Sequence, residues 1–245
     1  MLAAPRHPPL GRGLAIVVAL LVATLARADA ERPVPALPSG IPADERARLQ
    51  EIADRAAVAT QVETEPFLAR PAVFEYLLDH PEFATHVTRA LRFARYRIWQ
   101  TPQGLFLDDG WGVTGHFWLA YAASGVRVMR ARGEYSQTFM PTIRGDAVTM
   151  IAYALAPAED GKSLVRATVT GYVRLDSRML ATVIKVAPGI AQRKADLEAR
   201  RLVRVFARVS RAVEDDPGGV LDKVGARPDV PRRELEEFAR LLRPR

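Results

Sequence analysis

The side chains best suited to chemistry in this chain are aromatic. Phe106, Trp111, Phe117, Trp118 and Tyr121 crowd a central stretch rich in strand-forming residues, and Tyr96, Trp99, Tyr135 and Tyr153 flank them. Wide, flat rings facing a cavity can wrap an apolar molecule, while phenol and indole groups supply the few polar contacts that orient it. Tyr96, Trp99, Trp111, Phe117, Tyr121, Tyr135, Tyr153 and Phe206 are therefore candidate ligand-binding residues, and the competing reading is that they pack a core. Acid–base chemistry has three candidates in His116, Tyr121 and Asp109. A histidine satisfied by a hydrogen bond and an ordinary Asp108-Asp109-Gly110 turn are the simpler account of two of them. His80 and His86 are six apart around a helix break, whereas paired ligands on one helix favour i and i+3 or i+4, so no metal site and no cofactor are expected. Ser124, Ser136 and Ser210 lack a nucleophile-elbow context, and neither Gly110-Trp111-Gly112 nor Gly218-Gly219 forms a phosphate loop. No catalytic residue is assigned.

These residues must be positioned by the elements around them. Residues 31–42 are proline-rich and aperiodic, which predicts an extended linker. Residues 43–56 follow as a short lid or docking helix with Leu49, Ile52 and Ala56 on one face. From Ala57 the period falls to two: Val58, Thr60, Val62 and Thr64 alternate with Ala59, Gln61, Glu63 and Glu65, as in a strand. Two short helices come next, one opening at Pro71 with Val73, Phe74, Leu77 and Leu78 apolar, the other running from Pro81 to Leu91. Strands are predicted at 92–100, 105–123 with an interruption at Asp108-Asp109-Gly110, 126–138, 147–156 and 163–175. Turn residues separate them at Pro102-Gln103-Gly104, Ser124-Gly125, Arg144-Gly145-Asp146 and Glu159-Asp160-Gly161, which implies an antiparallel meander. In the last strand Val165, Ala167, Val169, Gly171, Val173 and Leu175 share a dry face, and Arg166, Thr168, Thr170, Tyr172 and Arg174 a wet one. A long closing helix carries Met179 to Ala187, a Pro188-Gly189 kink, then Leu202, Val205, Phe206, Val209 and Val213, with arginines opposite the apolar stripe. A polar linker from Glu214 and a small amphipathic helix from Pro231 to Leu242 end the chain.

The compartment is read from the N-terminus. Arg6, His7 and Arg12 precede an apolar run from Leu14 to Leu25, and Ala28-Asp29-Ala30 supplies the small residues of a cleavage site. Such a run covers roughly 18 Å of helix, short of a roughly 30 Å hydrocarbon core, so residues 1–30 read as a cleaved secretory leader. With no cysteine there is no lipid attachment and no disulfide, which suits a bacterial periplasm. Cleavage removes three basic residues and one acidic residue, taking the formal charge from +7 to +5. That mild basicity favours transient contact with an anionic membrane surface, and no basic run interleaved with aromatics points to nucleic acid.

The strand at Val58 to Thr64, the Val73 to Phe83 helix pair, the antiparallel strands to Leu175 and the long helix to Val213 together resemble the START-like superfamily, also called polyketide-cyclase-like or SRPBCC. The likeness covers residues 57–213, with 31–56 as a linker and short helix and 214–245 as an extension. It implies an α+β helix-grip fold: a curved antiparallel sheet wrapped around the terminal helix, with an apolar tunnel for a lipid or other hydrophobic molecule. The group shares no catalytic set, and fold alone does not fix function. The first expectation is a periplasmic carrier of a hydrophobic small molecule, a lipid, closed by a lid at Pro71 to Pro81. A cyclase or hydratase using His116, Tyr121 or Asp109 in the same cavity is the alternative. An interaction module docking its terminal helices on a partner is a third reading.

Overall fold

The computed structural model describes residues 36–137, 140–177 and 188–243. The leader expected at 1–30 and the Met179 to Ala187 stripe lie outside the described residues. In order, the elements are helix α1 (Ala43–Asp54), strands β1 (Val58–Glu63) and β2 (Phe67–Ala69), and helices α2 (Pro71–Asp79) and α3 (Pro81–Ala90). Strands β3 (Arg97–Thr101), β4 (Gly104–Asp108), β5 (Val113–Ala123), β6 (Val126–Gln137), β7 (Met140–Pro157) and β8 (Ser163–Leu175) follow. Helices α4 (Pro188–Asp215), α5 (Pro217–Gly225) and α6 (Arg232–Leu242) complete the chain. The strands form one antiparallel sheet in the order β1-β8-β7-β6-β5-β4-β3, with β2 also paired to β8.

Two adjacent rows across the sheet define its faces, because side chains alternate at every step along a strand. Ile98, Leu107, Gly115, Gly133, Gly145 and Leu175 lie opposite one another in register and share the inner face. The next row, Trp99, Phe106, His116, Arg132, Asp146 and Arg174, shares the outer face. Three glycines in the inner row are required by close strand approach. A Cβ at Gly115 would lie 2.6 Å from the Gly133 Cα, and one at Gly145 would lie 2.4 Å from the Arg174 carbonyl oxygen. This explains why Arg144-Gly145-Asp146, a turn by composition, instead sits inside β7, which starts at Met140 rather than at Ala147.

Helix α4 lies on the inner face along β1 and β2, where Val203 and Phe206 pack with Phe74, Ile151, Val165, Ala167 and Val169. Thr60 on β1 donates a hydrogen bond to Asp196 of α4, tying the helix to the sheet edge. Helix α1 covers the opposite face: Leu49 and Ile52 pack on Val128, Val148 and Tyr172. The expected wet face is therefore dry where α1 sits, with Thr170 and Tyr172 each 3% exposed. It also means that α1 is a cover for the outer face and not a lid on an inner cavity.

The chain after Asp215 is not a polar linker. Asp216 caps α5 by accepting from the Gly219 N–H at 2.8 Å, and α5 and α6 bury Val220, Val224, Phe238 and Leu242 against Phe83 and Val87 of α3. Arg70 donates to the Leu242 carbonyl at 2.6 Å and the Tyr76 hydroxyl to the Glu234 carbonyl at 3.2 Å, so the tail is built onto α2 as well. Strand β3 begins at Arg97 rather than at Arg92, because residues 91–94 form the exit turn of α3, with Arg92 at φ +57° and the Phe93 N–H bonded to the Thr88 carbonyl.

Candidate functional site

A cavity of about 180 Å³ lies between the inner face of the sheet and the helices. Leu77 and Leu78 of α2 and Pro81 and Ala84 of α3 roof it, while Leu202 and Phe206 of α4 close one side. The sheet supplies Ile98, Leu107, Val113 and Phe117, then Met129 and Ala131, then Thr149 and Ile151, every one an inner-face position. Gly115 and Gly133 meet in the middle of this wall and leave the backbone bare, which widens the space where two side chains would otherwise stand. His116 and Arg132 also border the cavity, but alternation sends their side chains to the other face. The space is apolar because strands of alternating character present one face and amphipathic helices present another.

Polar groups at the cavity are few. The Tyr96 hydroxyl is pushed up to about 12 by burial, against an opposing hydrogen bond with Thr88, so it stays protonated and able to donate. Asp109 is 1% exposed, and its Oδ1 accepts from the N–H groups of Trp111 at 2.7 Å and Val113 at 3.0 Å. Asp108 Oδ1 accepts from the Gly110 N–H at 2.7 Å. Both carboxylates thus shape the β4–β5 turn, the simpler of the two readings of Asp108-Asp109-Gly110. Tyr135 stands on the inner face opposite Val113, and burial, then the charge of Asp109, raises its pKa. Of the three groups named for acid–base work, Asp109 alone has its side chain on the cavity side. The His116 ring packs at 4.8 Å from Phe106 and 6.3 Å from Trp118 on the outer face.

The eight candidate ligand-binding residues do not gather in one place. Tyr96, Phe117 and Phe206 line the cavity. Tyr153 is on the inner face but belongs to the core and to a polar latch. Its ring meets Phe74 edge-on at 5.1 Å, and its hydroxyl donates to Glu75 at 2.9 Å and accepts from Arg127 at 3.2 Å. Trp111 is half-buried in the β4–β5 turn. Trp99 and Tyr121 point away from the cavity, which corrects their placement in the ligand set. Trp99 is 40% exposed in the outer row beside Phe106 and Arg97. Tyr121 reaches the outer face because the register shifts between Leu119 and Tyr121, and there it fills the space over Gly40 beside α1. The residues that were missed are mostly apolar and non-aromatic, Met129, Ala131 and Leu202 among them. Their signal was present in the alternation of β6 and the apolar stripe of α4.

The roof is bolted in place. Arg127, 7% exposed, donates to both carboxylate oxygens of Asp79 at the end of α2, at 2.6 and 3.0 Å, and to the Ala123 and Val126 carbonyls. With Glu75 held by Tyr153 and Arg70 and Tyr76 held by the tail, α2 is secured to the sheet on one side and to α6 on the other. That arrangement corrects the expectation of a mobile lid at Pro71 to Pro81. Among the described residues, no group of His, Asp and Glu is placed to hold a metal ion, and no helix is long and apolar enough to cross a membrane.

The strand, helix pair, antiparallel sheet and long helix seen here follow the element order expected from the sequence. The fold is a helix-grip. No family model matches the sequence, and no curated relative matches it. Similar solved structures include a hypothetical protein from Helicobacter pylori, at 9% identity over 63% of this chain and 87% of that one, with a TM-score of 0.39. Truncated norcoclaurine synthase from Thalictrum flavum is 10% identical over 62% of this chain and 92% of its own, with a TM-score of 0.35. An aromatase/cyclase from a Streptomyces species is 18% identical over 63% and 96%, with a TM-score of 0.34.

Proposed function

We propose that this protein binds a hydrophobic small molecule, a lipid, in the cavity between sheet and α4, and does so in a bacterial periplasm after loss of residues 1–30. The observation that carries the binding reading is the apolar wall itself: Leu77, Met129, Ala131, Ile151 and Leu202 line one common space. Binding there needs few polar contacts, since each buried methylene is worth about 0.8 kcal/mol. The Tyr96 and Thr149 hydroxyls are among the few polar groups lining the cavity that could orient a ligand's polar end. The compartment rests on the leader pattern and on the lack of cysteine.

Native mass spectrometry of the protein recovered from the exporting cell, followed by organic extraction, tests this reading. A lipid carried at near one-to-one is the expected result. Ala131→Phe, which fills the wall beside the glycine pair, is expected to lose that lipid while melting within a few degrees of the parent. A bare parent that also takes up no lipid from vesicles would overturn the reading.

A further inference from the structure

We propose that the outer side of α4, together with the α3–β3 loop, is a docking surface for an anionic lipid bilayer. Along α4, Leu197, Arg200, Arg201, Arg204, Arg208 and Arg211 recur at intervals of three and four, which confines them to an arc of roughly 100° and a length of about 21 Å. This arc lies opposite the cavity wall made by Leu202 and Phe206. Arg200, Arg204, Arg208 and Arg211 are exposed, and Leu197 among them is 57% exposed. The loop joins the same surface: the Arg208 guanidinium stacks 4.1 Å from the centre of the Phe93 ring, and Arg92 and Arg95 on either side of Phe93 are exposed.

The surface carries a dense set of cations unpaired among the described residues. No acidic side chain among the described residues lies within ion-pair distance of Arg92, Arg95, Arg200, Arg204, Arg208 or Arg211. Like charges four residues apart on a helix repel, so Arg200, Arg204 and Arg208 weaken α4 in isolation. A flat anionic surface relieves that repulsion along the whole stripe at once. Arginine stems lie along the headgroup boundary with their charged ends in water, and an exposed leucine within the stripe adds apolar contact there. An acidic protein would answer the charge but gives no reason for Leu197. The inference is independent of what the cavity holds.

The test is co-sedimentation of the chain purified from the exporting cell with vesicles of phosphatidylglycerol in phosphatidylcholine, against pure phosphatidylcholine, at low and high salt. The chain is expected to partition onto the anionic vesicles alone and to be released by salt. Each arginine at the surface is worth about fivefold in partitioning, so Arg204→Glu with Arg211→Glu is expected to lose at least 25-fold. Arg208 is left intact because it packs on Phe93. Arg48→Glu on α1 should bind as the parent does. If the double helix variant does not fold, Arg92→Glu with Arg95→Glu carries the same expectation from the loop. Equal binding to neutral vesicles, no binding, or unchanged binding by the charge-reversed variants would overturn the proposal. Binding to soluble polyglutamate as tight as to vesicles would overturn it too, by assigning the surface to an acidic protein.

Discussion

Arginine is used in two opposite ways in this molecule. On the sheet, Arg97 meets Asp108 at 3.2 Å, Arg130 meets Glu45 at 3.0 Å, and Arg144 meets Glu134 at 2.9 Å. Arg132 and Arg174 share Asp146 at 3.0 and 2.7 Å, and extend to Asp176 and Glu51. On α4 and the α3–β3 loop, six arginines have no such partner among the described residues. The physical reason for the first pattern is local. Strands hold cross-strand neighbours about 5 Å apart, so an unpaired cation there repels or strands its neighbour, and pairing is part of forming the sheet. A helix surface imposes no such demand. Leaving Arg200, Arg204 and Arg208 stacked at i, i+4 spacing costs about 0.2 to 0.5 kcal/mol per contact, and no carboxylate among the described residues offsets it.

The contrast can be broken most directly at Arg127, the most buried of the sheet arginines. Arg127→Met is expected to lower stability by about 3 kcal/mol, because Asp79, two carbonyls and Tyr153 lose one donor together. Urea unfolding would measure it, and a change under 1 kcal/mol would make the α2 latch dispensable. Asp146→Asn comes next, at about 1.5 kcal/mol by the same measurement, since Arg132 and Arg174 each keep a second carboxylate.

His86 provides a paired site with a sign of its own. Burial holds its pKa below the ordinary 6.5, more than Asp229 at 3.7 Å raises it, with Arg89 and Arg227 lowering it further. The unfolded chain therefore takes up the proton first on acidification. His86 contributes stability that is complete above about pH 6.5 and is lost as pH falls through its lower folded value. The parent is expected to lose more melting temperature between pH 7 and pH 5 than His86→Gln does, and equal slopes would remove the residue from the pH response. The smallest effects belong to α4. Arg204→Gln or Arg211→Gln is expected to move stability by no more than about 0.5 kcal/mol, and a larger loss would show that these arginines serve the fold after all.

Much of the fold was legible because its signals are short-range. The period of two at Val58 to Val62, the Pro71 and Pro81 helix starts, the two-faced β8 and the apolar stripe of α4 each lie within a few residues of one another. What escaped were features set by distant pairing. Strand β2 is three residues between two prolines and exists because Phe67 to Ala69 meet Ser163 to Val165. The β7 extension through Gly145 depends on Arg174, which lies on another strand. The candidate site divided for the same cause: Phe117 and Tyr121 share a parity in sequence, but one register shift sends the first inward and the second outward.

Composition and periodicity were enough to establish an antiparallel sheet closed by a long helix, and one face of that helix rich in arginine. Those properties depend only on which residues lie near each other along the chain. Which sheet face became the cavity, which aromatic rings reached it, which helix covered the other side and which arginines found a carboxylate were decided by contacts between segments up to 172 residues apart. Pairing across such distances is a property of the assembled packing, since each strand offers two faces of comparable character and only the helices laid against them make one of the two the inside.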